Sequence, residues 1–197
     1  MLIVFGGAFN PPTKAHLEAY YAIKKRCAVS QFIFLPVSSA YTKRELVSQY
    51  HRLNMLKLLI EGLDDCDISD LEMHDDQFLG TYQSLVRLSD QYQAHAAFVI
   101  GADNLVQMKH WKYATSLLSE FKIIVLNRRQ MDLHAMIDND DFLSQFKSSF
   151  ILIDDFDLAL SSTHFRESFD ASLVTKAVYQ YILTHRLYIK EDISHVL

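Results

Sequence analysis

The chain has 197 residues, of which 50% are hydrophobic and 22% charged, with a formal net charge of −5. That length and apolar content suit a packed core and exclude a disordered chain. The acidic balance argues against general nucleic-acid binding, but not against an anionic small substrate held in a local basic pocket. Two cysteines, Cys27 and Cys66, without metal-type spacing exclude a disulfide framework and fit a reducing compartment.

The opening residues M-L-I-V-F-G-G carry no basic region and no long apolar stretch. Neither a signal peptide nor a transmembrane segment is expected, and the cytoplasm is the expected location. Leu2 to Phe5 is a short continuous apolar run that reads as a buried strand. The loop Gly6 to Thr13 follows, with two of the three prolines and two of the five glycines. Ala15 to Arg26 reads as a helix with Leu17, Tyr20, Tyr21 and Ile23 near one face. Gln31 to Val37 is aromatic and β-branched enough to be a strand. Leu46 to Glu61 repeats Leu53, Leu56, Leu59 and Ile60 at helix spacing, and Asp67 to Met73 is a candidate third strand.

Thr81 to Gln93 reads as the next helix, and Ala96 to Ile100 as a strand running into Gly101-Ala102-Asp103. Leu105 to Ser119 is one helix or two short ones. Lys122 to Leu126 and Phe150 to Ile153 are strands. Arg129 to Gln145 is the most polar and least regular stretch and is expected to be a loop or insertion. Ser172 to Arg186 reads as a final helix, with Leu173, Val174, Ala177, Val178, Tyr181 and Ile182 on one buried face. Strands alternating with helices predict an α/β fold with a doubly wound parallel sheet. No repeat or linker divides it, so residues 1–197 are expected to form one domain, helical from about 161 to 197.

In such sheets ligands bind beyond the carboxyl ends of the strands, at a topological switch point. Gly6 and Gly7 lack Cβ atoms, so main-chain N–H groups at this loop can come close to a phosphate. The helix that follows presents its positive end, and His16 falls in its first turn. The loop is neither G-x-G-x-x-G nor a P-loop. On residues alone, a ligand loop and a tight strand-to-helix connection stiffened by prolines fit it equally. A single histidine in a first turn is by itself more often a capping or packing residue.

The stretch G-G-A-F-N-P-P-T-K-A-H-L-E-A resembles the opening signature of the nucleotidylyltransferases related to class I aminoacyl-tRNA synthetases: G-x-F-(D/N)-P followed by (H/T)-x-x-H. Within them it is most similar to the nicotinate or nicotinamide mononucleotide adenylyltransferases. Leu160 to Arg166 is similar to their second signature, (I/L)-S-S-T-x-(I/F)-R. Val99 to Asp103 with Trp111 and Arg128, Gly80 to Leu85, Lys43 with Arg52 to Leu56, and Val178 to Tyr188 resemble further family segments in the same order.

The resemblance implies a Rossmann-like fold and a reaction between ATP and a pyridine mononucleotide, nicotinate mononucleotide favoured, giving a dinucleotide and pyrophosphate. It places Gly6, Gly7, Ala8, Phe9, His16, Gly101 and Asp103 against ATP, with His16 donating to phosphate oxygens. Ser161, Ser162, Thr163 and Arg166 would hold the β- and γ-phosphates, and Lys43 would close over them. Asn10, Thr81, Asp103, Trp111 and Arg128 fall on the pyridine-nucleotide side, with Trp111 stacked on the ring. Arg44 reads as a solvated loop charge and Arg52 as a structural residue.

Thr13 stands where many members have a histidine; its hydroxyl can donate to a phosphate but cannot carry charge. Ala15 and Gly80 also depart from the family's glycine and tyrosine. Mg²⁺ is expected to arrive with ATP, held by phosphates and water, with no metal site of the protein's own. Asp138 to Asp141 reads as a solvated acidic loop, since it lacks the glycine and closing glutamate of a calcium loop. A homo-oligomer stays open. Two rival readings stand beside the first: transfer to another phosphorylated acceptor, with ATP or CTP as donor, and a catalytically weak nucleotide-binding regulator.

Overall fold

A computed structural model describes residues 1–39, 46–127, 130–156 and 161–189. Its framework is a sheet of β1 (Leu2–Gly7), β2 (Gln31–Pro36), β3 (Cys66–Ile68), β4 (Ala96–Gly101), β5 (Lys122–Leu126) and β6 (Phe150–Ile153). Their order across the sheet is β3-β2-β1-β4-β5-β6, and every neighbouring pair is parallel.

Successive strand residues point to opposite faces, and the register lines them up in rows. Ile33, Val4, Phe98 and Ile123 form a row on one face, while Phe34, Phe5, Val99 and Ile124 form a row on the other. The second face is covered by α1 (Lys14–Arg26), α2 (Gln49–Ile60), α7 (Ser162–Ser168) and α8 (Lys176–Thr184), through Tyr20, Ile23, Met55, Leu56, Phe165, Val178 and Ile182. The first is covered by α3 (Thr81–Tyr92), α4 (Leu105–Met108), α5 (Ala114–Glu120) and α6 (Leu133–Asp138), through Leu85, Leu88, Leu105, Met108, Leu117 and Ile137. With both faces covered, the central strands must be apolar throughout, which is why they read as continuous hydrophobic runs. Each fully buried Leu, Ile or Phe on these rows contributes about 1.5–3 kcal/mol relative to an exposed one. Among the described residues no helix is long and apolar enough to cross a membrane.

Three expected elements differ. The candidate strand Asp67 to Met73 is a three-residue strand followed by a 3-10 turn, Leu71–His74. Turn chemistry stops it: the Ser69 hydroxyl accepts from Leu71 N–H at 3.3 Å, and Met73 N–H donates to the Asp70 carbonyl at 2.8 Å. The polar stretch expected as a loop holds α6 and a 3-10 segment, Leu143–Ser149. Two of its aspartates are caps: Asp132 accepts from Ala135 N–H (2.9 Å), and Asp140 from Phe142 and Leu143 N–H (2.9 and 3.0 Å). Asp140 is therefore structural, and its carboxyl lies below the usual range because those N–H groups and Lys109 stabilise its anion.

The expected helix Ser172 to Arg186 is broken. Ala171–Leu173 is a 3-10 turn, and α8 begins after Thr175, whose hydroxyl accepts from Val178 N–H at 3.3 Å. Leu105 to Ser119 resolves into the two short helices α4 and α5, with Trp111 between them.

Candidate active site

The chain reverses its order of strand addition between β1 and β4, and a cleft of about 460 Å³ opens there. Gly6 and Gly7 end β1 at its floor. A Cβ on Gly6 would lie 2.7 Å from the Phe98 ring, and one on Gly7 would lie 3.2 Å from the Phe9 ring. A side chain at Gly6 would thus displace the Phe98 ring, and one at Gly7 would press on the Phe9 ring, both of which line the cleft. Gly6→Ala is expected to lower stability by roughly 1–3 kcal/mol, as overpacking does. The check is a urea midpoint that falls at unchanged slope; an unchanged midpoint would mean that Phe98 swings aside freely.

The loop after Gly7 is held from three directions. Phe9 takes a left-handed conformation (φ 46°) with its ring buried. Asn10 is 3% exposed; its Oδ1 accepts from Val47 N–H (3.2 Å) and from the Tyr188 hydroxyl (2.8 Å). Asn10 borders the cleft, but that side-chain oxygen serves the loop rather than facing a ligand. Arg166 Nη1 donates to the Asn10 carbonyl (2.6 Å), and the Ser162 hydroxyl donates to the Pro11 carbonyl (2.7 Å). Beneath, Arg52 is fully buried and donates to the carbonyls of Ala8 (2.9 Å), Val37 (2.8 Å) and Val47 (3.3 Å) and to the Ser39 hydroxyl (3.3 Å). Burial lowers its pKa from the ordinary value, yet an arginine keeps its proton. Its expected structural role is what the geometry displays.

Thr13 is the N-cap of α1, and the capping box is closed by an imidazole. Thr13 N–H donates to His16 Nδ1 at 2.9 Å, and the Thr13 hydroxyl lies 3.0 Å from the same nitrogen. The His16 ring is packed between Phe9 and Phe5, with centroids 5.0 and 5.7 Å away, and borders the cleft. Thr13 is 0% exposed and absent from the cleft wall, so the hydroxyl expected to meet a phosphate faces the histidine instead.

Across the cleft, α7 presents Ser161, Ser162, Thr163 and Arg166. The Ser161 hydroxyl accepts from His164 N–H (3.0 Å), and Thr163 Oγ1 accepts from Arg166 Nη2 (3.1 Å). These elements and His16 lie on one face of the sheet. Thr81 and Trp111 enter from the other face. Thr81 opens α3 directly after Gly80, whose φ of 100° only glycine adopts easily. The Trp111 indole packs edge-on against Phe98, with centroids 6.3 Å apart. Ala8, Gly101 and an exposed Asp103 complete the strand ends.

Sequence reasoning missed Glu72, Phe78 and Phe98, which also line the cleft. Glu72 is 5% exposed and accepts from the Ser84 hydroxyl at 2.7 Å; burial pushes its carboxyl above the usual range. Nothing local marks it, since it stands in the stretch expected as a strand. Lys43, Arg44 and Arg128 lie outside the described residues.

The chain matches the family model described as cytidylyltransferase-like over residues 4–168. It is 31% identical over 191 residues to the "Probable nicotinate-nucleotide adenylyltransferase" of Acholeplasma laidlawii, spanning 95% of this chain and 97% of that one. It is 26% identical over 197 residues to the protein of the same name from Carboxydothermus hydrogenoformans, spanning 94% and 96%. Among solved structures it is similar in fold to the Plasmodium falciparum nicotinic acid mononucleotide adenylyltransferase complexed with NaAD, with a TM-score of 0.75 at 18% identity over 95% of this chain and 96% of that one.

Proposed function

The chain belongs to the cytidylyltransferase-like family, and to its nicotinate-nucleotide adenylyltransferases, and from that premise we propose that it transfers the adenylyl group of ATP to nicotinate mononucleotide in NAD biosynthesis. The observation that carries this reading is a single cleft at the β1/β4 switch point, with an imidazole, hydroxyls and a guanidinium on one face of the sheet and a tryptophan on the other. A dinucleotide needs that span: phosphates in the middle, a base at each end.

A phosphate oxygen of the mononucleotide attacks the α-phosphorus of ATP. The new P–O bond forms as the bond to the β-phosphate oxygen breaks, and pyrophosphate leaves. A phosphate monoester is largely ionised near neutral pH, its second pKa being about 6, so no general base is required. The protein's work is to position two anions and to meet charge on the transferred group.

His16 donates from Nε2 to the triphosphate. Arg166, with Thr163 and the Ser161–Ser162 turn, holds the β- and γ-phosphates, and Lys43 is assigned to the same phosphates by its motif. Gly6, Gly7, Ala8, Phe9, Gly101 and Asp103 border the nucleotide. Trp111 stacks on the pyridine, Thr81 meets its carboxylate, Asp103 and Arg128 are assigned to the same side, and Asn10 contributes by holding the loop.

Among the described residues no three His, Cys, Asp or Glu side chains converge as a metal cage. The hydroxyl, imidazole and guanidinium donors suit phosphate oxygens rather than a bare cation. Mg²⁺ arriving with ATP would be carried by phosphate oxygens and water and would neutralise phosphate charge there. We take residues 1–197 as one domain acting in the cytoplasm.

The test is to incubate the protein with Mg-ATP and, separately, nicotinate mononucleotide, nicotinamide mononucleotide and phosphopantetheine, and to measure pyrophosphate. Release with nicotinate mononucleotide is expected. Silence with both pyridine nucleotides would overturn the reading, and release with phosphopantetheine alone would move it to another acceptor. Trp111→Ala is expected to raise the KM for the pyridine nucleotide several-fold more than that for ATP, since a lost stacking contact is worth roughly 0.5–1.5 kcal/mol. The reverse order would make Trp111 a packing residue only.

A further inference from the structure

The nitrogen of His16 that faces α1 has three Thr13 atoms near it: the main-chain nitrogen at 2.9 Å, the hydroxyl oxygen at 3.0 Å and the carbonyl oxygen at 3.3 Å. The first can only donate. The third can only accept, so it would favour a proton on Nδ1. The hydroxyl can do either. A proton on Nδ1 would point at the main-chain N–H from a distance at which two hydrogens repel, and the carbonyl is the most distant of the three. The short contacts therefore make Nδ1 an acceptor and orient the hydroxyl as a second donor.

We infer that Thr13 is a positioning residue that acts through His16: its N–H and O–H hold Nδ1 unprotonated, so the neutral imidazole keeps its proton on Nε2. This rests on the adenylyl-transfer reading for its catalytic meaning and gives the threonine a different job from the phosphate contact expected of it. Burial supports the assignment, because Thr13 is 0% exposed and cannot reach a ligand without leaving the helix cap. The rings of Phe9 and Phe5 restrict the imidazole plane, so the tautomer also fixes the direction of the remaining N–H. A donor aligned before the substrate arrives needs no reorganisation during the reaction.

Two measurements test this. The first is ¹⁵N NMR of histidine-labelled protein without any substrate, with the His16 signals assigned by their loss in His16→Gln. An unprotonated Nδ1 and a protonated Nε2 near neutral pH are expected; a proton on Nδ1 would overturn the inference. The second is kinetic. Thr13→Val is expected to lower kcat by about 10-fold, near the value of one hydrogen bond, with the KM for both substrates within about twofold. Thr13→Ser is expected to restore turnover. Equal turnover for wild type and Thr13→Val, or a rise in the KM for ATP with kcat unchanged, would return Thr13 to a capping or ligand role. Because the NMR result needs no turnover, the tautomer can fail while adenylyl transfer stands, and the reverse.

Discussion

His16→Ala is expected to lower kcat on the order of 10²-fold or more, the size of effect seen when one preorganised donor to a developing charge is removed. The attacking phosphate needs no base, so this catalysis relies on donors in place. His16 lines the cleft at the start of α1, and its ring is held by Thr13, Phe9 and Phe5. Alanine also removes the reciprocal half of the capping box, worth about 0.5–2 kcal/mol, so the variant should be assayed where its unfolding curve shows it folded. The loss is expected in kcat and kcat/KM alike, because the contact strengthens in the transition state. Wild-type turnover would remove His16 from the mechanism.

Arg52→Ala is expected to destabilise the protein by at least about 3 kcal/mol. Two effects add. A large buried side chain is replaced by a methyl group, which in cores costs about 2–5 kcal/mol. Three carbonyl oxygens and a hydroxyl lose their donor, and each buried polar group left unmet costs about 1–3 kcal/mol unless water reaches it. Against a total stability of about 5–15 kcal/mol this is a large fraction. Lysine is no conservative substitute, since a point charge cannot reproduce a planar fork that serves Ala8, Val37, Val47 and Ser39 from opposite edges. Denaturant unfolding reads the effect. A variant of wild-type stability would show that water or the loop itself can satisfy those carbonyls.

The central strands were legible because burial on both faces leaves an unbroken apolar run, as in Leu2 to Phe5 and Ile123 to Leu126. The failures share a physical cause: side chains that cap or turn the chain look like ordinary polar or periodic residues. Asp132 and Asp140 read as loop polarity but hold N–H groups. Leu173 and Val174 extended the apolar period of the last helix, yet they bury from a turn, with Thr175 starting the helix behind them. Of the two motifs through which the site was legible, Gly6, Gly7 and His16 of the first and Ser161, Ser162, Thr163 and Arg166 of the second line one cleft, while Thr13 does not. What spacing cannot show is direction. Thr13 and His16 have the right separation for two phosphate contacts, and only the cap geometry turns one of them toward the other. Nor can spacing show that Asn10 is gripped by Tyr188, 178 residues away.

That grip bears on the order in which the molecule is made. All six strands lie before Asp154, whereas α7 and α8, which help to cover one face of the sheet, follow it. The ties from Ser162, Arg166 and Tyr188 to Pro11 and Asn10 come later, since all three residues follow the last strand. The last strand thus leaves both one face of the sheet and the loop after β1 still to be completed. The loop that follows the first strand is therefore among the last parts to be fixed, and the cleft it borders takes its final shape only with α7 and the residues after α8.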